Sequence, residues 1–163
     1  MQLKPLLPFV VGLVMASAVT FAQGAQPKTD VSLASSAVIE AAVARAVANP
    51  GTATRLLPDA AYQYFVMARK EAGLAEIHKQ WTDVTTIRSG RGVLRTGQTL
   101  AGPRETSPGE WRGDAVQDGV ERPLGAGDLV VIPAGLAHQV SPVSNDPLVY
   151  VTVKVPADVD KVK

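Results

Sequence analysis

The chain has no cysteine and few aromatic residues, and both absences exclude classes of protein. Without cysteine, the fold must depend on a packed core rather than on disulfides, and thiol catalysis is excluded. Aromatic residues make up 5% of the sequence, and 16 basic residues stand against 15 acidic ones without a basic run, so nucleic-acid binding has no electrostatic footprint. The sequence also lacks a Gly-x-Ser-x-Gly motif and a glycine-rich phosphate loop, so nothing indicates a serine hydrolase or a nucleotide-binding enzyme. Its 163 residues are a one-domain length.

Residues 1–22 have the layout of a secretory signal peptide. The segment begins with one positive charge at Lys4, continues with an uncharged stretch rich in Leu, Val, Phe and Ala, and ends in small residues around Ala22 that offer cleavage sites. The alternative is an uncleaved membrane anchor, for which the apolar stretch is marginal in length. We therefore predict a periplasmic or secreted protein that is free of the membrane after signal cleavage.

A helix is predicted within residues 23–58, which otherwise form a linker. Its span is Ser35 to Ala48, where a serine can cap the first turn and Asn49-Pro50-Gly51 ends the helix. Apolar residues recur there every four positions, at Ile39, Val43 and Val47. We expect this helix to pack over one end of the domain.

Residues 59–163 are typical of an all-β domain. Short alternating runs are separated by turns rich in Gly, Pro, Ser and Asp, a texture that favours a sandwich or a barrel. The predicted strands are residues 62–69, 75–78, 83–88, 92–95, 115–117, 129–132 and 148–155, and a further strand that carries His138 is expected after the turn at Pro133-Ala134-Gly135. One stretch, Leu100 to Gly113, is predicted to be a long loop between strands.

The chain has two histidines, and each lies where a metal site would suit it. His78 stands between two carboxylates, Glu76 and Asp83, and His138 follows an apolar strand and a Pro-x-Gly turn. Because residues two apart in a strand point to the same face, Glu76 and His78 should project together. Imidazole is the commonest protein ligand for transition metals, so these residues are candidate metal ligands.

These positions resemble the two sequence motifs of the small single-domain cupins. The first cupin motif is G-x5-H-x-H-x(3,4)-E-x6-G, and here Glu76, His78, Asp83 and Gly90 keep its spacing. The second motif is G-x5-P-x-G-x2-H-x3-N, which is matched at four fixed positions, Gly127, Pro133, Gly135 and His138. The resemblance implies a single-domain antiparallel cupin (jelly-roll) β-barrel with a short N-terminal helix.

The resemblance also implies a metal site. Carried over residue by residue, it assigns His78 and His138 as ligands, Glu76 as a substitute for the first family histidine, and Asp83 as a shorter replacement for the family glutamate. Two imidazoles and two carboxylates should favour Mn²⁺, Fe²⁺ or Zn²⁺ over Cu(I). Two further family positions, a glycine and an asparagine, are replaced here, by Lys70 and Pro142.

The predicted function is the binding of a small polar ligand beside a divalent metal. Known cupins include oxygenases and isomerases, so metal-dependent catalysis is one outcome, although the sequence identifies no catalytic residue and no organic cofactor. The resemblance further implies a homodimer. The alternative is a metal-free binding or structural barrel, in which Glu76 pairs with Lys79 or Arg69, Asp83 caps a turn, and His138 bonds to a backbone carbonyl.

A charged cluster near Trp111 has two interpretations. Glu110, Arg112 and Asp114 alternate with other residues along the chain. They form either a solvated strand edge or a polar lid over the ligand cavity.

Overall fold

The computed structural model describes residues 31–57 and 62–157. The predicted signal peptide, residues 1–22, lies outside this part of the chain and stays a prediction. Within the described residues, no helix has the length and apolar character that a membrane span requires.

The predicted helix is present as α1, Ser36–Ala48, with Ser35 as its N-cap. Ala42 and Ala46 are fully buried, and their small side chains let the helix approach a sheet closely. They pack against three buried residues of that sheet, Val66, Ala68 and Val149. The helix therefore covers the outer face of a sheet, and the expectation that it closes one end of the domain is wrong.

Thirteen strands follow in the described chain, and every strand pairing among them is antiparallel. Their bounds are β1 Thr54–Arg55, β2 Gln63–Arg69, β3 Ala75–His78, β4 Trp81–Ser89, β5 Arg91–Gly97, β6 Thr99–Ala101, β7 Arg104–Ser107, β8 Glu110–Gly113, β9 Ala115–Gln117, β10 Val120–Gly125, β11 Leu129–Ile132, β12 Ala137–Pro142 and β13 Leu148–Pro156. The order of the strands is β1-β2-β13-β4-β11 in a five-stranded sheet, β10-β5-β12-β3-β8-β7 in a six-stranded sheet, and β6-β9 in a two-stranded sheet.

The alternation of each strand decides which side chains face the interior. On β2, Phe65 and Met67 line a cavity, whereas Val66 and Ala68 between them are buried under the helix. The same alternation on β3 turns Glu76 and His78 inward. The barrel interior is thus lined by every second residue of two facing sheets.

One half of the interior is an apolar core. Leu148 and Ile87 are the largest of its fully buried side chains, and burial of each contributes about 2 kcal/mol of transfer free energy. The whole cluster consists of Ile87, Leu94, Leu124, Ile132, Leu148 and Tyr150. This core holds the two sheets together behind the polar half.

The predicted loop from Leu100 to Gly113 is wrong, because it contains most of β6, all of β7 and all of β8. Strands β1 and β10 were not predicted either, and β1 lies before residue 59, where the barrel was expected to begin. All four residues of β7 are exposed, as are four of the six residues of β10, so neither strand carries the alternation that marks a half-buried strand.

Candidate metal centre

A cavity of about 520 Å³ opens between the two sheets, and all four predicted ligands line it. Glu76 and His78 come from β3, Asp83 from β4 and His138 from β12. The pairing of β12 with β3 places His138 directly opposite Glu76. The pairing of β12 with β3, and the position of β4 on the opposite sheet, therefore bring together residues that are far apart in the sequence.

Each imidazole is held by its Nδ1 atom, which leaves Nε2 directed at the shared space. Nδ1 of His78 lies 2.5 Å from Oε2 of Glu110, and Nδ1 of His138 lies 3.0 Å from the carbonyl oxygen of Leu136. Both rings are buried, and their centroids are 5.3 Å apart. Hydrogen bonds of this kind orient metal-binding histidines and fix the tautomer in which Nε2 has a free lone pair.

The carboxylate of Glu76 completes a set of three donors. Its Oε1 atom is 3.5 Å from Nε2 of His138, and its Oε2 atom is 3.7 Å from Nε2 of His78. One donor atom from each residue lies within 4.8 Å of the others. Metal–ligand bonds of about 2.1 Å at angles of about 90 to 110° require donor separations of roughly 3.0 to 3.4 Å, so the two distances from Glu76 to the imidazoles are only slightly longer than an ion requires.

Asp83 lies beside this set but has another partner. Its Oδ2 atom is 3.8 Å from Nε2 of both His78 and His138. Its two oxygens also accept hydrogen bonds from Nζ of Lys154, at 2.9 and 3.2 Å. Asp83 could therefore reach an ion only by giving up part of its ion pair.

Comparison with known proteins identifies the fold. No protein-family model and no curated protein sequence matches the chain. A solved structure from Bacillus halodurans is 20% identical over 80% of this chain and 83% of its own, with a TM-score of 0.56. An uncharacterized conserved protein with a double-stranded β-helix domain from Klebsiella pneumoniae is 17% identical over 68% and 75%, with a TM-score of 0.50. The chain therefore has the double-stranded β-helix, or cupin, fold.

Two further residues of the cupin barrel belong to the site, and both lie in the segment predicted as a loop. Strand β8 pairs with β3 so that Glu110 stands opposite His78 and Arg112 opposite Glu76. Nη2 of Arg112 is 3.2 Å from Oε2 of Glu76, and its Nη1 is 3.6 Å from Oε2 of Glu110. The alternation of charged residues around Trp111 was the signal that pointed to them.

The third residue of that charged cluster, Asp114, lies at the surface. Asp114 is exposed and pairs with the exposed Arg104 at the surface. Glu110 and Arg112 therefore line the wall of the cavity rather than forming a lid over it, and the solvated-edge interpretation describes Asp114.

The contacts of the metal-free alternative are present only in part. Glu76 pairs with Arg112 instead of Lys79 or Arg69, and Asp83 pairs with Lys154 instead of capping a turn. The bond of the His138 ring to a backbone carbonyl is present, and it leaves Nε2 directed at the cavity. This bond is compatible with either interpretation.

The electrostatics of the barrel interior favour a positive charge between the imidazoles. Burial opposes ionisation of Glu76, but the close contacts and charge interactions with His138 and His78 together outweigh it and hold the pKa of this carboxyl well below its usual range. Burial likewise opposes protonation of His78, yet the close contact with Glu76 and the charges of Glu76 and Asp83 raise the pKa of this imidazole. A bound cation at this point would be attracted by the same carboxylates.

Proposed function

We propose that this protein is an exported cupin barrel that binds a divalent transition metal through His78, His138 and Glu76, and holds a small polar molecule beside it. The observation that carries the proposal is the convergence of three donor atoms, two of them on rings whose other nitrogen is already engaged. Asp83 is the fourth candidate ligand. The mixed nitrogen and oxygen donors suit Mn²⁺, Fe²⁺ or Zn²⁺.

The rest of the cavity supplies proton-transfer groups. A divalent ion held by His78, His138 and Glu76 would supply a Lewis acid for an oxygen atom of the bound molecule. Asp83 and Lys154 face the same cavity and offer a proton acceptor and a proton donor. Proton transfer by these two residues would suit an isomerase, and a redox-active ion in the same place would suit an oxygenase.

Elemental analysis of protein purified from its native compartment tests the metal site. Expression in a foreign compartment could load the wrong ion, so the native source is required. We expect one divalent ion per chain, removal of the ion by a chelator, and a fall in melting temperature of roughly 5 to 10 °C that returns when the ion is added back. This prediction fails if the native protein holds no metal and its melting temperature does not change when a chelator is added.

A pair of matched variants locates the ion. Glu76→Gln removes one charge from the proposed ligand set and should greatly reduce the metal content. Glu121→Gln makes the same chemical change on β10, where the carboxylate is exposed and pairs with Arg95. The control should keep its full metal content, and equal loss in both variants would contradict the assignment.

The alternative function, a metal-free binding barrel, has one observation in its favour. Glu76, Asp83 and Glu110 each already lie near a cation, Arg112 or Lys154, so none of these carboxylates needs an ion as its partner. A native protein that contains no metal but still binds small molecules in the cavity would support this alternative.

Export and self-association are separate proposals with direct tests. N-terminal sequencing of the mature protein should find a new terminus just after residue 22 if the predicted signal is cleaved. Size measurement in solution tests the homodimer that the family resemblance implies. Neither result affects the assignment of the metal ligands.

A further inference from the structure

The charges that line the cavity are paired unequally. Glu76 and Glu110 share Arg112, at 3.2 and 3.6 Å, and Asp83 pairs with Lys154 at 2.9 Å. Three carboxylates are therefore matched by two cations. A third cation in the cavity wall, Arg69, takes no part in these pairs.

Arg69 has a hydroxyl group as its partner. Its Nε atom donates to the Tyr150 hydroxyl at 2.7 Å, and within residues 31–57 and 62–157 no carboxylate lies within 4.0 Å of its guanidinium. A guanidinium has five N–H donors, so the two terminal amino groups keep donors for another partner. Burial raises the pKa of Tyr150, the charge of Arg69 opposes this shift, and the charges of Glu76 and Asp83 add to it. The hydroxyl group thus contacts Arg69 directly, and its pKa also responds to the charges of two candidate metal ligands, Glu76 and Asp83.

The guanidinium is also held on its other side. A Cβ atom at Gly73 would lie 2.5 Å from Cζ of Arg69 and 2.6 and 2.9 Å from its two terminal nitrogens. Gly73 is buried and its amide donates to the carbonyl of Val140, so this backbone is fixed. The absence of a side chain at Gly73 gives the guanidinium its place, and Tyr150 sets its direction.

We infer that the small molecule of this cavity carries a carboxylate group, and that the terminal amino groups of Arg69 bind it. A planar guanidinium fork matches the two oxygens of a carboxylate, and burial in the wall of a cavity strengthens such a charge-assisted pair. A phosphate dianion fits less well, because three carboxylates already face the same space. Apolar side chains of the cavity, Phe65, Met67 and Val140, can contact the hydrocarbon part of the ligand. This inference rests on the proposed function for the place of the ligand, and does not require the metal.

Acetate and its uncharged analogue acetamide test the inference, because both are small enough to enter the cavity without further shape requirements. Binding is followed by NMR titration of the full chain after chelator treatment, so that no ion can bind acetate. We expect the wild type to prefer acetate over acetamide by at least about tenfold, which is the scale of one charge-assisted pair. Arg69→Gln should abolish this preference, whereas Arg88→Gln on the outer face, where the side chain pairs with Glu40, should keep it.

A second variant displaces the guanidinium without removing its charge. Gly73→Ala puts a methyl group where the flexible end of Arg69 now lies, so the acetate preference should fall while the melting temperature changes little. Equal binding of acetate and acetamide, an acetate preference that survives Arg69→Gln, or tighter binding of inorganic phosphate than of acetate would each overturn the inference. Metal content of the Arg69→Gln protein separates the two proposals, since loss of acetate preference with full metal content concerns Arg69 alone.

Discussion

The two sheets that face each other across the cavity carry different chemistry. The six-stranded sheet carries both imidazoles and the residues around them: Glu76, His78, Glu110, Arg112 and His138. The five-stranded sheet carries Arg69, Asp83, Tyr150 and Lys154. The polar site thus forms where two sheets with different polar side chains face each other.

The two sheets differ in which polar atoms remain available to bind a metal ion. For the histidines of the six-stranded sheet, Glu110 and the carbonyl of Leu136 engage the two Nδ1 atoms, so both Nε2 atoms remain directed at the cavity. On the five-stranded sheet, Lys154 already satisfies both oxygens of Asp83. Metal affinity should therefore depend strongly on the six-stranded sheet and weakly on the five-stranded one.

Removal of an imidazole should have the largest effect on metal affinity. His138→Ala deletes a donor atom and leaves Glu76 with one imidazole neighbour, so we expect metal affinity to fall by more than the roughly 10- to 100-fold that follows loss of an outer partner. Val140→Ala, on the same strand, is the control for truncation and should keep the ion. Calorimetric titration with Mn²⁺ and Zn²⁺ measures both, and a His138→Ala protein with wild-type affinity would exclude this residue from the ligand set.

The second-largest effect on metal affinity is expected from Glu110, which contacts Nδ1 of His78. Glu110→Gln keeps the size of the side chain but removes the charge that orients and polarises the imidazole, so metal affinity should fall about 10- to 100-fold. Glu105→Gln is the matched control, since its carboxylate is exposed on β7 and accepts a hydrogen bond from a loop amide. If both variants bind metal like the wild type, the contact between Glu110 and His78 has no part in binding.

Local sequence patterns predicted the strands that have one buried face. The strands over residues 75–78, 115–117 and 129–132 were predicted with the bounds that the structure shows. The serine cap and the Asn-Pro-Gly stop likewise predicted the helix to within one residue of its start. In each case the determining interactions lie within a few residues of the chain.

The parts that depend on partners far along the chain were predicted only as one of two alternatives or were missed. Glu110 and Arg112 were recognised as a charged cluster, but they belong to the site because β8 pairs with β3, and no local pattern specifies that pairing. The role of Lys154 beside Asp83 arises in the same way, since the two residues stand opposite each other on β13 and β4. The motif resemblance supplied candidate ligands, but the neighbours that orient or neutralise them required the sheet register.

The smallest effect on metal affinity is expected from the five-stranded sheet. Asp83→Asn should lower the affinity less than about tenfold, because Lys154 already holds this carboxylate, while loss of the buried ion pair should cost about 3 kcal/mol of unfolding free energy. Asp114→Asn breaks a comparable pair with Arg104 at the surface and should change both quantities little. Denaturant unfolding and metal titration of the two variants separate stability from binding. A loss of affinity as large as that of Glu110→Gln would mean that Asp83 exchanges Lys154 for the ion, and the five-stranded sheet would then supply a ligand as well.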